Sequence, residues 1–168
     1  DVERSRGLGD VYKRQARDKS GDYKLWASDG TEAGTGVFFD MSLTGIAASD
    51  NILFLQENDE LWVSDGTETG THEIENAFPY SNGTKPAVLK DKLFYIGNDN
   101  SNPPNIELWM SDGTEAGTQQ VKDINPNGYS DPTHLNPSHG KLFFTADDGV
   151  NGRELWVSDG TEDLSLIH

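Results

Sequence analysis

A nine-residue string, ELWVSDGTE, occurs at residues 60–68 and again at residues 154–162. Two close copies, KLWASDGTEAGT from Lys24 and ELWMSDGTEAGT from Glu107, complete a set of four. One tryptophan marks each copy: Trp26, Trp62, Trp109 and Trp156. These tryptophans are 36, 47 and 47 residues apart. Repeats of about 40 to 50 residues have the length of one blade of a propeller, so this periodicity constrains the fold more than any other feature.

A full repeat contains four short blocks of aromatic and β-branched residues, separated by Gly, Asn, Asp and Pro. In the third repeat these blocks are residues 86–90, 92–97, 106–111 and 119–124, with a tight turn at Asp91. No stretch has a sustained helical period. We therefore predict an all-β fold with less than about 10% helix. Its units would be four-stranded antiparallel blades, and the chain would be a fragment of a β-propeller.

Some strand blocks are apolar at consecutive positions, as in LFF at residues 142–144 and LWV at residues 61–63. Successive strand residues point to opposite faces of a sheet. Both faces of these sheets should therefore be covered, which the radial stacking of blades achieves. A stacked solenoid would satisfy the same pattern, but the repeat length and the four strands favour the propeller.

Both chain ends are expected to be non-native. The string DVYKRQ at residues 10–15 and the string LSLIH at residues 164–168 resemble the two translated reading directions of a sequencing adaptor. We therefore set residues 1–15 and 164–168 aside as scars. The remaining chain divides by its repeats into a partial blade, two full blades and a second partial blade: 16–42, 43–83, 84–130 and 131–163. We expect such a fragment to expose apolar sheet faces at its ends and to self-associate.

The Ser-Asp-Gly-Thr segment that follows each tryptophan is interpreted as a turn. Asp-Gly favours tight chain reversal, and the Asp carboxylate can accept hydrogen bonds from turn amides. We expect the second Gly of the segment to occupy another strained backbone position. Because a motif present in every unit serves the unit, structural roles are assigned to four acidic residues and to the tryptophans, which should pack between blades. The acidic residues are Asp29, Asp65, Asp112 and Asp159.

The pattern ELWxSDGTEAGT, followed by VKDINP and GKLFFTADDG, resembles the ELWxxDGT repeat family of bacterial proteins over residues 17–163. The resemblance implies a propeller-like β repeat in a large exported or cell-surface protein. The sequence departs from the pattern locally, with KLWAS in the first copy and a second repeat that is shorter by about 11 residues.

The net charge of the chain limits the classes of partner that it is expected to bind. With 29 acidic and 13 basic residues, the formal net charge is −16. Nucleic acids and anionic membranes attract clustered Lys and Arg, so neither is expected as a partner. No apolar run approaches the ~20 residues of a membrane span. The expected partners are a protein or glycan surface and the neighbouring repeats of a longer chain.

Two acidic loops are candidates for calcium. Asp123, Asn125, Asn127 and Asp131 place oxygen ligands at alternate positions around a Gly turn, as calcium loops do. Pro126 and the His134 at the twelfth position count against calcium here, and a plain Asn-Pro turn is the favoured interpretation. The second loop offers Asp147 and Asp148, together with Asn151 and Glu154, but a solvated hairpin is the favoured interpretation there. No other cofactor is expected.

Three functions remain open from the sequence. The first is a non-catalytic scaffold that binds or adheres through the loops at the blade ends. The second is an accessory or catalytic propeller of a glycan-active enzyme. The third is a structural spacer array. No nucleophile motif or phosphate-binding loop is present, and we therefore expect the first.

Overall fold

The structure is a computed structural model that describes residues 12–21, 23–41, 43–49, 51–161 and 165–166. These residues form sixteen β-strands joined by turns and loops, and no helix occurs among them. Every strand pairing is antiparallel. The predicted all-β, antiparallel fold class is therefore confirmed.

The chain divides into two compact units, of which the first spans residues 1–73. It contains two sheets whose strands pair in sequence order. Sheet 1 consists of β1 (Tyr12–Arg17), β2 (Tyr23–Ser28) and β3 (Thr35–Phe39). Sheet 2 consists of β4 (Leu43–Ala48), β5 (Leu53–Glu57), β6 (Glu60–Ser64) and β7 (Thr71–Glu73).

The second unit spans residues 74–168 and also contains two sheets. Sheet 3 consists of β8 (Phe78–Pro79), β9 (Ala87–Leu89), β10 (Lys92–Asn98), β11 (Ile106–Ser111) and β12 (Gln119–Gln120). Sheet 4 consists of β13 (Thr133–Ser138), β14 (Lys141–Asp147), β15 (Arg153–Ser158) and β16 (Ser165–Leu166). In sheet 3, β8 and β9 both pair with β10. The turn predicted at Asp91 joins β9 to β10, with positive φ at Lys90 and Asp91.

Two strands include residues that the sequence analysis set aside. Residues 12–15 belong to β1, which pairs with β2 from Tyr12 to Arg17. Residues 165 and 166 form β16 and supply the outer strand of sheet 4, although residues 164–168 were not expected to belong to the last blade. A sheet edge presents unpaired N–H and C=O groups that an extended segment can pair with through its backbone alone. Strand formation therefore does not require the apolar pattern of the other repeats. The adaptor origin of both ends stays a prediction.

The predicted fourth strand of the third repeat is shorter than expected. β12 ends at Gln120, whereas the prediction extended to Ile124. The backbone N–H of Val121 still donates to the carbonyl of Leu108 at 2.8 Å, and the chain then leaves the sheet. Val121 and Ile124 are both buried. Their apolar character, which suggested a strand, instead reflects packing of the loop.

Consecutive apolar residues are buried on both sheet faces in the middle of the chain. Leu53, Phe54 and Leu55 of β5 are each no more than 1% exposed. In the second unit, one face of sheet 3 packs with one face of sheet 4 in a single cluster. This cluster contains Ala87, Phe94, Leu108, Met110, Val121, Ile124, Leu142, Phe144, Ala146 and Trp156.

The opposite face of sheet 4 is more open. Leu155 is 42% exposed, whereas its counterparts Leu25, Leu61 and Leu108 are at most 2% exposed. Phe143 is half-buried, whereas its counterpart Phe94 in sheet 3 is fully buried. Sheet 4 therefore presents an apolar face to solvent that sheet 3 does not.

Candidate functional site

The repeated Ser-Asp-Gly-Thr segment forms the turn after the tryptophan-bearing strand of every sheet. In each copy, the Asp carboxylate accepts two hydrogen bonds at its Oδ1 atom. In the first copy, Asp29 Oδ1 accepts from the backbone N of Thr31 at 2.9 Å and from its hydroxyl at 2.7 Å. The other three copies repeat both bonds within 0.1 Å, at Asp65, Asp112 and Asp159.

Hydroxyl groups complete the turn. In the third copy, the backbone N of Gly113 donates to Ser111 Oγ at 3.1 Å, and the Ser111 and Thr118 hydroxyls are 2.7 Å apart. The backbone N of Gly117 donates to Thr114 Oγ1 at 3.0 Å. Ser64, Ser111 and Ser158 are at most 1% exposed. Each of these buried hydroxyls is therefore hydrogen-bonded within its own turn, as buried polar groups require.

The two glycines of the turn have different roles. The first has positive φ in all four copies, from 91° to 95°, a conformation that side chains with a Cβ avoid. The second does not have positive φ, so our expectation of a strained position there is wrong. At Gly34, Gly70 and Gly117 a Cβ would overlap the Asp carboxyl of the same turn. Glycine is needed there because the capping carboxyl lies in that space.

The capping bonds change the acidity of the carboxyls. The Thr31 hydroxyl, which donates to Asp29, is the main reason that the pKa of Asp29 is lowered. The Thr161 hydroxyl lowers the pKa of Asp159 in the same way. Both carboxyls are solvent-exposed. A depressed pKa favours the ionised form, which suits a hydrogen-bond acceptor rather than a general acid.

The four tryptophans occupy the same position of their sheets. Each lies at the third residue before the capping Asp, on the strand that precedes the turn. Trp156 is 9% exposed and the other three are partly buried. Trp109 lies over Gly97, where a Cβ would overlap the indole ring. The tryptophans are packing residues, and their positions follow the repeat.

The residue two positions before Trp109 was missed by the sequence analysis. Glu107 is 0% exposed, and its carboxylate accepts hydrogen bonds from a loop of nine residues, 123–131. The backbone N of Ser130 donates to Oε1 at 3.0 Å, the backbone N of Ile124 donates to Oε2 at 3.3 Å, and the Ser130 hydroxyl also donates to Oε2. Burial raises the pKa of Glu107, and these donors oppose that rise.

Ser130 joins the loop to both sheets of the second unit. Its backbone N also lies 3.1 Å from the carbonyl of Ile106 in β11, and its own carbonyl accepts from the backbone N of Asp147 in β14 at 3.0 Å. Glu107 therefore fixes the segment that connects sheet 3 to sheet 4. The signal in the sequence was an acid placed between apolar strand residues, in IELWM.

The position of Glu107 is used differently in the other sheets. In sheet 1 it is Lys24, which pairs with Asp40 at 2.8 Å and Asp18 at 3.3 Å. In sheet 2 it is Glu60, which accepts from Trp62 Nε1 at 3.4 Å. In sheet 4 it is Glu154, whose Oε2 is buried and accepts no hydrogen bond from the described residues.

The first calcium candidate is largely engaged by protein groups. Asp131 accepts from Asn82 Nδ2 at 2.9 Å and forms an ion pair with Arg153 at 2.9 Å. The Asn125 oxygen accepts from the backbone N of Asn127 at 3.2 Å, and its amide nitrogen donates to the carbonyl of Tyr129. The side chain of Asp123 is exposed. Calcium at this loop stays a prediction.

The second candidate forms a hairpin turn next to the first. Asp148 Oδ1 accepts from the backbone N of Val150 and Asn151, which lowers the pKa of Asp148, and Asp147 Oδ1 accepts from Gly149 N at 2.7 Å. A Cβ at Gly149 would overlap the Asn125 side chain, so the two candidate loops lie side by side. Across the described ranges, no three His, Cys, Asp or Glu side chains are grouped to hold a metal. A long apolar helix of membrane-spanning size is likewise not found in those ranges.

Comparison with known proteins gives a fold and no family. No family model matches the chain, and no curated sequence is similar to it. A TolB structure from Agrobacterium tumefaciens is similar with a TM-score of 0.53 at 9% identity, over 94% of this chain and 61% of that chain. The chain thus spans 61% of the length of that structure. The AtxE2 isopeptidase in its apo form reaches a TM-score of only 0.34 at 9% identity, over 99% of this chain and 40% of the isopeptidase. The chain shares the overall fold of the TolB structure.

Proposed function

We propose that the chain is a non-catalytic, propeller-type scaffold from an exported or cell-surface bacterial protein, and that it binds a protein or glycan surface through its loops. The observation that carries this proposal is the fourfold recurrence of one turn, in which the acids and hydroxyls cap backbone groups. Residues that stabilise every unit in the same way serve architecture. The TolB neighbour, a propeller, supports the blade interpretation of the sheets.

Two adjacent loops of the second unit are the best candidates for the binding surface. Tyr129 is 59% exposed and Val150 is 83% exposed. They lie in the loop held by Glu107 and in the hairpin of Asp148, which the contact of Asn125 with Gly149 places together. An aromatic ring offers a flat apolar face for a sugar or a protein side chain. The first loop is fixed to β11 by the hydrogen bond from Ser130 to Glu107, and the hairpin is fixed to the end of β14 by the bond from Gly149 N to Asp147.

The binding role can be tested with arrays of purified bacterial and host glycans and of extracellular matrix proteins. The chain should bind one class saturably, and the Tyr129→Ser, Val150→Ser double variant should bind at least about tenfold more weakly, a loss of about 1.4 kcal/mol. Val37→Ser, which changes a 47% exposed residue in the first unit, is the matched control and should keep the affinity. If no array member binds, or if the double variant binds like the parent, the proposed surface is wrong.

A further inference from the structure

Glu107 and Glu154 occupy the same position of two repeats, but among the described residues only Glu107 binds a loop. Each is paired across the sheet with the sixth residue of the preceding strand: Glu107 with Gly97 of β10, and Glu154 with Ala146 of β14. Glu107 accepts from Ile124 and Ser130 and is fully buried. Glu154 Oε2 is buried without a donor among the described residues. A buried acceptor without a donor is costly.

The strand edge beside Glu154 has the same form as the edge that the loop covers in sheet 3. The pairing of β12 with β11 stops at Trp109, and beyond it Val121 N bonds to Leu108 and Ser130 N bonds to Ile106. The pairing of β16 with β15 likewise stops at Trp156. The structure shows no outer-strand partner for Arg153 to Leu155 within its described residues.

Burial of the neighbouring leucine agrees with this difference. Leu108, beside the loop, is 0% exposed, and it lies in one apolar cluster with Val121 and Ile124 of the loop segment. Leu155, its counterpart, is 42% exposed. Among the described residues, a carboxylate oxygen without a donor, a strand edge without a partner and an exposed leucine thus occur together. The equivalent oxygen, edge and leucine of sheet 3 are all covered by the loop.

We propose that Glu154 and the adjacent edge of β15 form a docking site for a peptide segment of the type Val-Lys-Asp-Ile-Asn-Pro-x-Gly-x-Ser, contributed by a neighbouring repeat. The segment would donate two backbone N–H groups and a serine hydroxyl to the carboxylate. Its Val and Ile side chains would cover Leu155. The inference rests on the proposed scaffold of repeats. The geometry of the docked segment is taken from the contacts that the loop makes with Glu107.

The probe is a synthetic peptide that copies residues 121–132, VKDINPNGYSDP, with blocked ends and a fluorophore. Titration of the full chain into this peptide, followed by fluorescence anisotropy, should show saturable binding. The variant Glu154→Gln should weaken binding at least about tenfold, since an amide nitrogen cannot accept from the peptide. A peptide with the serine replaced by alanine should weaken it similarly. Glu60→Gln, the same motif position in sheet 2, is the control and should leave the affinity unchanged.

Three results would overturn the proposal. They are no binding up to millimolar peptide, equal binding by the Glu154→Gln chain, and equal binding of a scrambled peptide. Sedimentation of the chain alone tests whether a second copy is the occupant. If the chain forms dimers that disappear in Glu154→Gln, the occupant is a second copy of the chain and the proposal of a neighbouring repeat is wrong. Because the readout is peptide binding, its failure leaves the result of the glycan and protein arrays unaffected.

Discussion

At the scale of single residues, the turn depends on a close fit between a carboxyl group and a glycine. Gly34 has no Cβ, and the Asp29 carboxyl occupies the space that a Cβ would take. Two residues later, Gly36 has open space around the same position. The sequence correctly indicates that both turn glycines matter. It does not reveal that the second one is required for space rather than for φ, because that requires the side-chain position of Asp29.

This difference predicts that two neighbouring substitutions will change stability by different amounts. Gly34→Ala should lower the free energy of unfolding by about 1 to 3 kcal/mol, the usual cost of forcing extra atoms into a packed site. Gly36→Ala should change it by less than about 0.5 kcal/mol. Urea unfolding followed by tryptophan fluorescence measures both. In the double variant Asp29→Ala, Gly34→Ala, the cost of the alanine should largely disappear, and strictly additive effects would contradict the steric explanation.

The capping carboxyls also predict how stability depends on pH. The pKa values of Asp29 and Asp159 are lowered in the folded state by their Thr donors. Their stabilising contribution is therefore present above the unfolded-state pKa of about 3.9 and is lost as pH falls through the folded-state pKa. Glu107 has the opposite sign, because its pKa is raised by burial: its contribution is present at low pH and is lost as pH rises through its folded-state pKa.

We therefore expect the urea midpoint to fall as the pH is lowered below about 4. Asp159→Asn should reduce this fall, whereas Glu32→Gln, at an exposed position of the first turn, should not. In Glu107→Gln the midpoint should fall more steeply than in the parent as the pH is lowered. The reason is that the contribution of Glu107, which is present at low pH, has been removed. Identical pH profiles for the parent and Asp159→Asn would show that the cap bonds contribute nothing to stability.

At the scale of elements, the connection between sheet 3 and sheet 4 depends on one carboxylate. Glu107 holds the loop at Ile124 and Ser130, and Ser130 in turn accepts from Asp147 of β14. Strand existence was predictable here, since the blocks of β10 and β11 were found to within a residue. The end of β12 and the role of Glu107 were not, because the fate of a segment after its last ladder bond depends on tertiary contacts.

The two glutamates should therefore respond differently to the same substitution. Glu107→Gln replaces an acceptor that faces N–H donors by an amide nitrogen, and it should cost about 1 to 3 kcal/mol. Glu154→Gln removes a charge with one unpartnered oxygen, and it should be neutral or stabilising. Thermal and urea unfolding of both variants provide the comparison. Equal destabilisation by the two substitutions would show that Glu154 already has a strong partner in the chain.

At the scale of the whole molecule, the feature that matters most for behaviour in solution is the exposed apolar face of sheet 4. Leu155 is 42% exposed, and Phe143 and Val157 of the same face are half-buried. The expectation of exposed apolar sheet faces came from the consecutive apolar letters of the sequence. Which residues of which sheet are exposed could not be predicted, because exposure depends on what each face packs against.

We expect the chain to associate with rising concentration through this face. Leu155→Lys should shift sedimentation towards the monomer, because a charged side chain cannot be buried cheaply against another apolar face. Val150→Lys, in a loop residue that is 83% exposed, carries the same charge change and should leave the association as it is. A chain that remains monomeric at all accessible concentrations would contradict this prediction.

The turn network has a consequence for how such a chain can vary. Its hydrogen bonds begin and end within eight residues, from the Ser before the capping Asp to the Thr after the second Gly. The octapeptide therefore forms its turn independently of the rest of the repeat. Insertions elsewhere in a repeat leave the turn intact, which agrees with tryptophan spacings of both 36 and 47 residues. Transplanted between two antiparallel strands of an unrelated sheet, SDGTEAGT should close the hairpin with the geometry that it has here.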